Sequence, residues 1–80
     1  MKVEFADDKA KTLVAAAQRR GATVFGTSSS NLFFVVYDSD GQRIPDVASV
    51  DLAKCEATTR NGRTHDVRGG LIRACFRGHH

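Results

Sequence analysis

Tryptophan is absent from the 80 residues, Pro45 is the one proline, and there are two cysteines, Cys55 and Cys75. Two cysteines cannot build the disulfide framework on which small secreted domains depend. Both are expected to be free thiols that behave as small apolar side chains. Long hydrophobic runs are missing as well. The longest, Leu32-Phe33-Phe34-Val35-Val36-Tyr37, falls far short of the ~20 residues that cross a bilayer. The opening stretch Met1-Lys2-Val3-Glu4-Phe5-Ala6-Asp7-Asp8 carries acids where a secretory signal needs its apolar segment. A soluble, cytoplasmic chain that makes no use of a membrane is therefore expected.

What is present suits a folded domain. Hydrophobic residues make up 41% of the chain and charged residues 26%, a balance that argues against disorder. So short a chain cannot divide its apolar residues between two cores, and residues 1–80 are read as a single domain. The net charge of +3 is unevenly spread. Residues 1–53 hold six basic side chains against seven acids, a balance of −1. Residues 54–80 hold Lys54, Arg60, Arg63, Arg68, Arg73 and Arg77 against Glu56 and Asp66 only, a balance of +4. Such asymmetry draws an anionic partner by Coulomb steering.

The alternation of Val3 and Phe5 with Lys2 and Glu4 predicts a short strand. A helix follows over residues 8–20. Asp7 or Asp8 caps its start, Ala10, Leu13, Val14 and Ala17 form one apolar stripe, and Gly21 closes it. Leu13, Val14 and Ala17 are expected to face a sheet. Ala22 to Phe25 and Leu32 to Tyr37 read as strands, with the polar stretch Gly26 to Asn31 between them. Asp38-Ser39-Asp40-Gly41 has turn chemistry, and extended chain resumes to Ile44. Two successive hairpins would make an antiparallel meander.

Residues 46–59 fit either a helix begun by Pro45 or strands, and Asn61-Gly62 favours the latter as a hairpin signal. After Gly69-Gly70, residues 71–76 form a last strand or a short helix. The fold class is thus α+β, with one N-terminal helix packed on an antiparallel meander, β-α-β-β-β, and room for a further hairpin.

Motifs for chemistry are sparse. Cys55, His65, Cys75, His79 and His80 are all soft metal ligands, and Cys75 and His79 have finger-like spacing, but no Cys-x2-Cys unit accompanies them. Asp38-Ser39-Asp40-Gly41 lacks the distal glutamate of a calcium loop. The Ser-rich stretch 26–31 lacks both the Gly-Lys-Thr/Ser unit and the following helix of a phosphate loop. His65 and Asp66 are neighbours on an extended segment and would point to opposite faces. No metal, no cofactor and no catalytic residue is expected.

Leu13 to Gly21, Phe25 to Ile44 and Gly70-Leu71-Ile72-Arg73 follow one another as a glycine-ended helix, a meander and a glycine-led last element. This order loosely resembles small toxins of the HicA type over about half the chain, and it implies a double-stranded-RNA-binding-like fold with a final helix. Where those toxins carry a catalytic histidine this chain has Ser30-Asn31-Leu32, so the resemblance does not extend to a ribonuclease.

The expected function is a non-enzymatic binding module. Its candidate contact residues are Lys54, Arg60, Arg63, Arg68, Arg73 and Arg77. Arginine forks suit phosphates and carboxylates alike. The partner is accordingly nucleic acid or an acidic protein surface, the latter making the chain an accessory or inhibitor protein of phage or mobile-element type.

Overall fold

The computed structural model describes residues 1–27 and 31–77. Strand β1 (Lys2–Phe5) leads into helix α1 (Asp8–Arg19), whose N-cap is Asp7. Asp7 Oδ1 accepts the Ala10 N–H at 2.8 Å, and Oδ2 accepts the Phe76 N–H at 3.2 Å. One carboxylate thus satisfies an orphan helix donor and ties the helix start to the last strand. At the other end the Gly21 N–H donates to the Gln18 carbonyl at 2.9 Å and the Ala22 N–H to that of Ala17 at 3.0 Å. This is a Schellman closure, with Gly21 at φ +89. The apolar stripe faces inward as expected. Ala10 and Val14 lie fully buried, while Leu13 and Ala17 pack at the margin of the core.

The strands that follow are β2 (Val24–Gly26), β3 (Leu32–Tyr37), β4 (Arg43–Ile44), β5 (Val47–Asp51), β6 (Glu56–Thr59), β7 (Thr64–Asp66) and β8 (Leu71–Phe76). They form two four-stranded sheets, a first in the order β1-β8-β3-β4 and a second in the order β2-β5-β6-β7. Every pairing is antiparallel except β1 with β8. The chain is an α+β protein whose N-terminal helix packs on mostly antiparallel sheet.

One pairing departs from the expectation, and two readings that the sequence left open are settled. First, β2 does not form a hairpin with β3. It pairs with β5, Phe25 opposite Val50, and so belongs to the other sheet. The burial of Phe25 accounts for this: its ring meets Phe34 of β3 across the core, with centroids 6.3 Å apart. Second, residues 46–59 take the strand alternative, β5 and β6 joined by a turn at 52–55. Their turn holds because Asp51 Oδ1 accepts the N–H groups of Ala53 and Lys54 at 2.9 and 3.0 Å, and Cys55 adopts φ +57. Third, residues 71–76 are a strand and not the final helix that the toxin resemblance implies. Ile72 and Ala74 alternate inward, and β8 lies between β1 and β3.

Two hairpins share one loop design. Ser39-Asp40-Gly41 and Arg60-Asn61-Gly62 are three-residue loops closed by the Gly41 N–H on the Asp38 carbonyl and the Gly62 N–H on the Thr59 carbonyl, each at 3.0 Å. In each loop the third residue is the glycine, the left-handed position that this loop length demands. The core lies between the sheets and under the helix. Leu32, Phe34, Val36, Ile72 and Ala74 of the first sheet meet Phe25, Val50 and Ala57 of the second. Gly70 allows β8 to approach β3, since a Cβ there would stand 2.0 Å from the Tyr37 carbonyl oxygen.

Candidate nucleic-acid interface

The six candidate cations do not gather on one ribbon. Arg60 and Arg63 are exposed on the β6–β7 hairpin, where the Arg60 N–H donates to the Asp46 carbonyl at 2.9 Å. They line a shallow hollow of about 500 Å³ with Pro45, Asp46, Thr59, Asn61 and His65. Lys54 and Arg68 lie at the opposite end of the second sheet, which the Val67 N–H joins to the Cys55 carbonyl at 2.9 Å. Arg68 stays near its own strand, its Nε 3.9 Å from Asp66 Oδ1. Arg73 and Arg77 belong to the first sheet. The set therefore divides into three pairs.

The pair on the first sheet has company that the sequence did not reveal. Along β3 burial alternates strictly, with Leu32, Phe34 and Val36 turned into the core and Phe33, Val35 and Tyr37 turned away from it. Cross-strand partners share a face. Phe33 is opposite Cys75, Val35 opposite Arg73 and Tyr37 opposite Leu71. Parallel pairing sets Lys2 beside Leu71 and Glu4 beside Arg73, and Arg43 lies opposite Tyr37 on the far edge. One row across all four strands thus runs Lys2, Leu71, Tyr37, Arg43. None of these outward residues packs on the hydrophobic core.

The outer face of this sheet therefore carries an apolar centre of Phe33, Val35, Tyr37, Leu71 and Cys75 among four cations. Lys2 and Arg43 stand on the two edge strands, ~14 Å apart from the spacing of strands. Arg77 lies with its guanidinium carbon 5.5 Å from the centroid of the Phe33 ring, a cation–π contact. Its N–H donates to the Asn31 carbonyl at 2.6 Å, prolonging the β3–β8 ladder by one residue. Arg73 bonds Glu4 Oε1 through Nε at 3.3 Å and Nη2 at 3.0 Å. That hydrogen bond holds the Glu4 carboxyl below its usual range; desolvation opposes it, and the nearby charges of Arg73 and Lys2 add to the lowering. Cys75 moves the other way. Partial burial pushes its thiol up and the charge of Asp7 adds to this, partly offset by Arg73.

The outer face of the second sheet has the opposite character. Asp51, Glu56 and Asp66 are successive cross-strand partners and share that face, beside a row of Ser49, Thr58 and Thr64. Acids line the outer face of one sheet, and cations with aromatics line that of the other.

The soft-ligand set disperses. Cys55 falls in the β5–β6 turn, His65 on β7 and Cys75 on the first sheet, with both thiols free. His79, His80 and residues 28–30 of the Ser-rich stretch lie outside the described residues. Among the described residues no three His, Cys, Asp or Glu side chains assemble into a metal site, and no helix is long and apolar enough to cross a membrane.

Sequence reasoning missed Lys2, Phe33, Tyr37 and Arg43. The one available signal was the odd-numbered half of 33–37, which becomes legible only once Arg73 is known to lie opposite Val35. Comparison with protein-family models, curated proteins and solved structures finds no match to this chain.

Proposed function

We propose that this chain is a non-enzymatic binding module that contacts nucleic acid through the outer face of its first sheet. The observation that carries this reading is the segregation of charge. Lys2, Arg43, Arg73 and Arg77 share the outer face of the first sheet with Glu4, and with Asp38 at its rim, while Asp51, Glu56 and Asp66 share the outer face of the second. A polyanion is drawn to the first face and turned from the second. Arg60 and Arg63 extend the positive surface beyond the edge strand β4, to which two residues, Pro45 and Asp46, connect the second sheet.

Titration of a labelled oligonucleotide over a range of salt concentrations tests the reading. If three or four of these cations each neutralise a phosphate, log affinity falls with log salt at a slope of about −2 to −4. Arg43→Glu, Arg73→Glu and Arg77→Glu together should abolish binding. Arg60→Glu, Arg63→Glu and Arg68→Glu together should only weaken it. Absence of binding to any nucleic acid at physiological salt would overturn the proposal.

The second reading, an accessory or inhibitor protein docking on an acidic partner, draws on the same face. Val35, Leu71 and Cys75 give it the aliphatic centre that protein interfaces also use. In that case the first triple variant loses the protein partner, and the wild type ignores random DNA and RNA.

A further inference from the structure

Resting on the nucleic-acid reading, we infer that the outer face of the first sheet takes single strands in preference to duplexes, with Phe33 and Tyr37 as platforms for two unpaired bases. The layout of the face decides between the two forms. Its cations Lys2 and Arg43 stand on the edge strands, and Arg77 stands beyond the end of β8. The middle belongs to Phe33, Val35, Tyr37 and Leu71, interrupted by Arg73 in its bond with Glu4. A duplex presents phosphates and keeps its bases stacked inside. Laid on this face it would press charged backbone onto apolar side chains, which costs desolvation without return. A single strand can turn base faces toward the rings and leave its phosphates to the rim.

The two rings lie four residues apart on one strand, ~13 Å at the rise of extended chain, so they serve two bases rather than one. Their strand is not an edge. β3 is hydrogen-bonded on one side to β8 along its whole length and on the other to β4, and its inward residues are held in the core. The platforms are thus fixed before the ligand arrives, which lowers the ordering cost of binding. Arg77 over Phe33 offers a second flat surface, so a base there can lie against ring or guanidinium.

The chain carries its own reporter. It contains one tyrosine and no tryptophan, so emission excited beyond the absorption band of its phenylalanines comes from Tyr37 alone. A single-stranded 12-mer and the matched duplex are titrated, following both oligonucleotide anisotropy and Tyr37 emission. The expected result is at least ten-fold tighter binding of the single strand, with emission quenched only by that ligand. Phe33→Leu and Tyr37→Leu keep apolar bulk on the face while removing the ring. Each should weaken single-strand binding by roughly five- to a hundred-fold and leave duplex binding unchanged, whereas Tyr37→Phe should bind like wild type. Circular dichroism confirms that each variant is folded. Duplex bound as tightly as single strand, or both leucine variants binding like wild type, would overturn the stacking inference and leave an electrostatic nucleic-acid binder. If neither nucleic acid binds while an acidic protein does, the inference and the reading beneath it both fall.

Discussion

A methyl group added at Gly70 would stand 2.0 Å from the Tyr37 carbonyl oxygen and 3.0 Å from the Asp38 carbonyl carbon. Even a close carbon–oxygen contact keeps about 3.3 Å, so Gly70→Ala must drive β8 and β3 apart by more than about 1 Å. The strain falls where Tyr37 pairs with Leu71 and where the Lys2 N–H reaches the Gly70 carbonyl at 3.1 Å. Weakening two or so backbone hydrogen bonds costs about 1 kcal/mol each, and residual backbone strain adds about 1–3 kcal/mol. The total of about 3–5 kcal/mol is a large share of the ~4–12 kcal/mol expected for a domain of this size. Urea titration followed by circular dichroism measures it, with a fall in Tm of at least about 12 °C as a second readout. Gly62→Ala is the control. Gly62 has φ +89 and nothing within 4 Å of an added Cβ, so its substitution incurs only the left-handed penalty of about 1–2 kcal/mol. A Gly70→Ala protein that loses no more stability than Gly62→Ala would refute the close approach of β8 to β3.

Four further expectations follow from the same structure. Val14 is 1% exposed, so Val14→Ala should cost about 2–3 kcal/mol by denaturant titration, more than Leu13→Ala at the core margin. Asp7→Ala removes a cap and the bond to the Phe76 N–H, and should cost about 1–2 kcal/mol, with amide exchange accelerated at both Ala10 and Phe76. Because Arg73 holds the Glu4 carboxyl below its usual range, the stability of that pair is present above the ordinary range and lost as pH falls through the lowered value. Glu4→Gln should therefore lose less stability than wild type between about pH 5 and pH 3. Burial and Asp7 keep the Cys75 thiol protonated at neutral pH, so in a Cys55→Ser background it should react with a disulfide reagent more slowly than a free peptide thiol.

Local patterns were legible and distant pairings were not. The helix could be read because its cap, stripe and glycine stop all fall within fourteen residues of one another. The loops at Ser39-Asp40-Gly41 and Arg60-Asn61-Gly62 could be read because turn residues act over three or four positions. The turn at 52–55 left a helix open because it contains no glycine, proline or asparagine, and a side chain and one left-handed cysteine shape it instead. The pairing of β2 with β5 and of β1 with β8 depends on which faces meet across the core, and periodicity carries no record of that. The candidate face suffered most. Six consecutive apolar residues at 32–37 hide the alternation that turns Phe33 and Tyr37 outward. Charge counted by position in the chain also grouped Arg60 and Arg63 with Arg73 and Arg77, though they lie on different sheets.

The position of β8 has a consequence for how the protein comes to be made. It is the last strand in the described chain, yet it lies between β1 and β3, with register partners as distant as Lys2 and Leu71. All four strands of the second sheet, β2, β5, β6 and β7, are made before β8, and they pair mostly with sequence neighbours. The first sheet has to wait, with β1 and β3 unjoined until residues 71–76 are made. Contacts of such sequence separation slow folding, because the intervening loop must be closed before they form. The side chains of the proposed binding face are all translated early except those of β8 and Arg77, but the surface they make exists only once that strand inserts. A chain cut before residue 71 would keep every strand of the acidic face and lack the one that assembles the basic face.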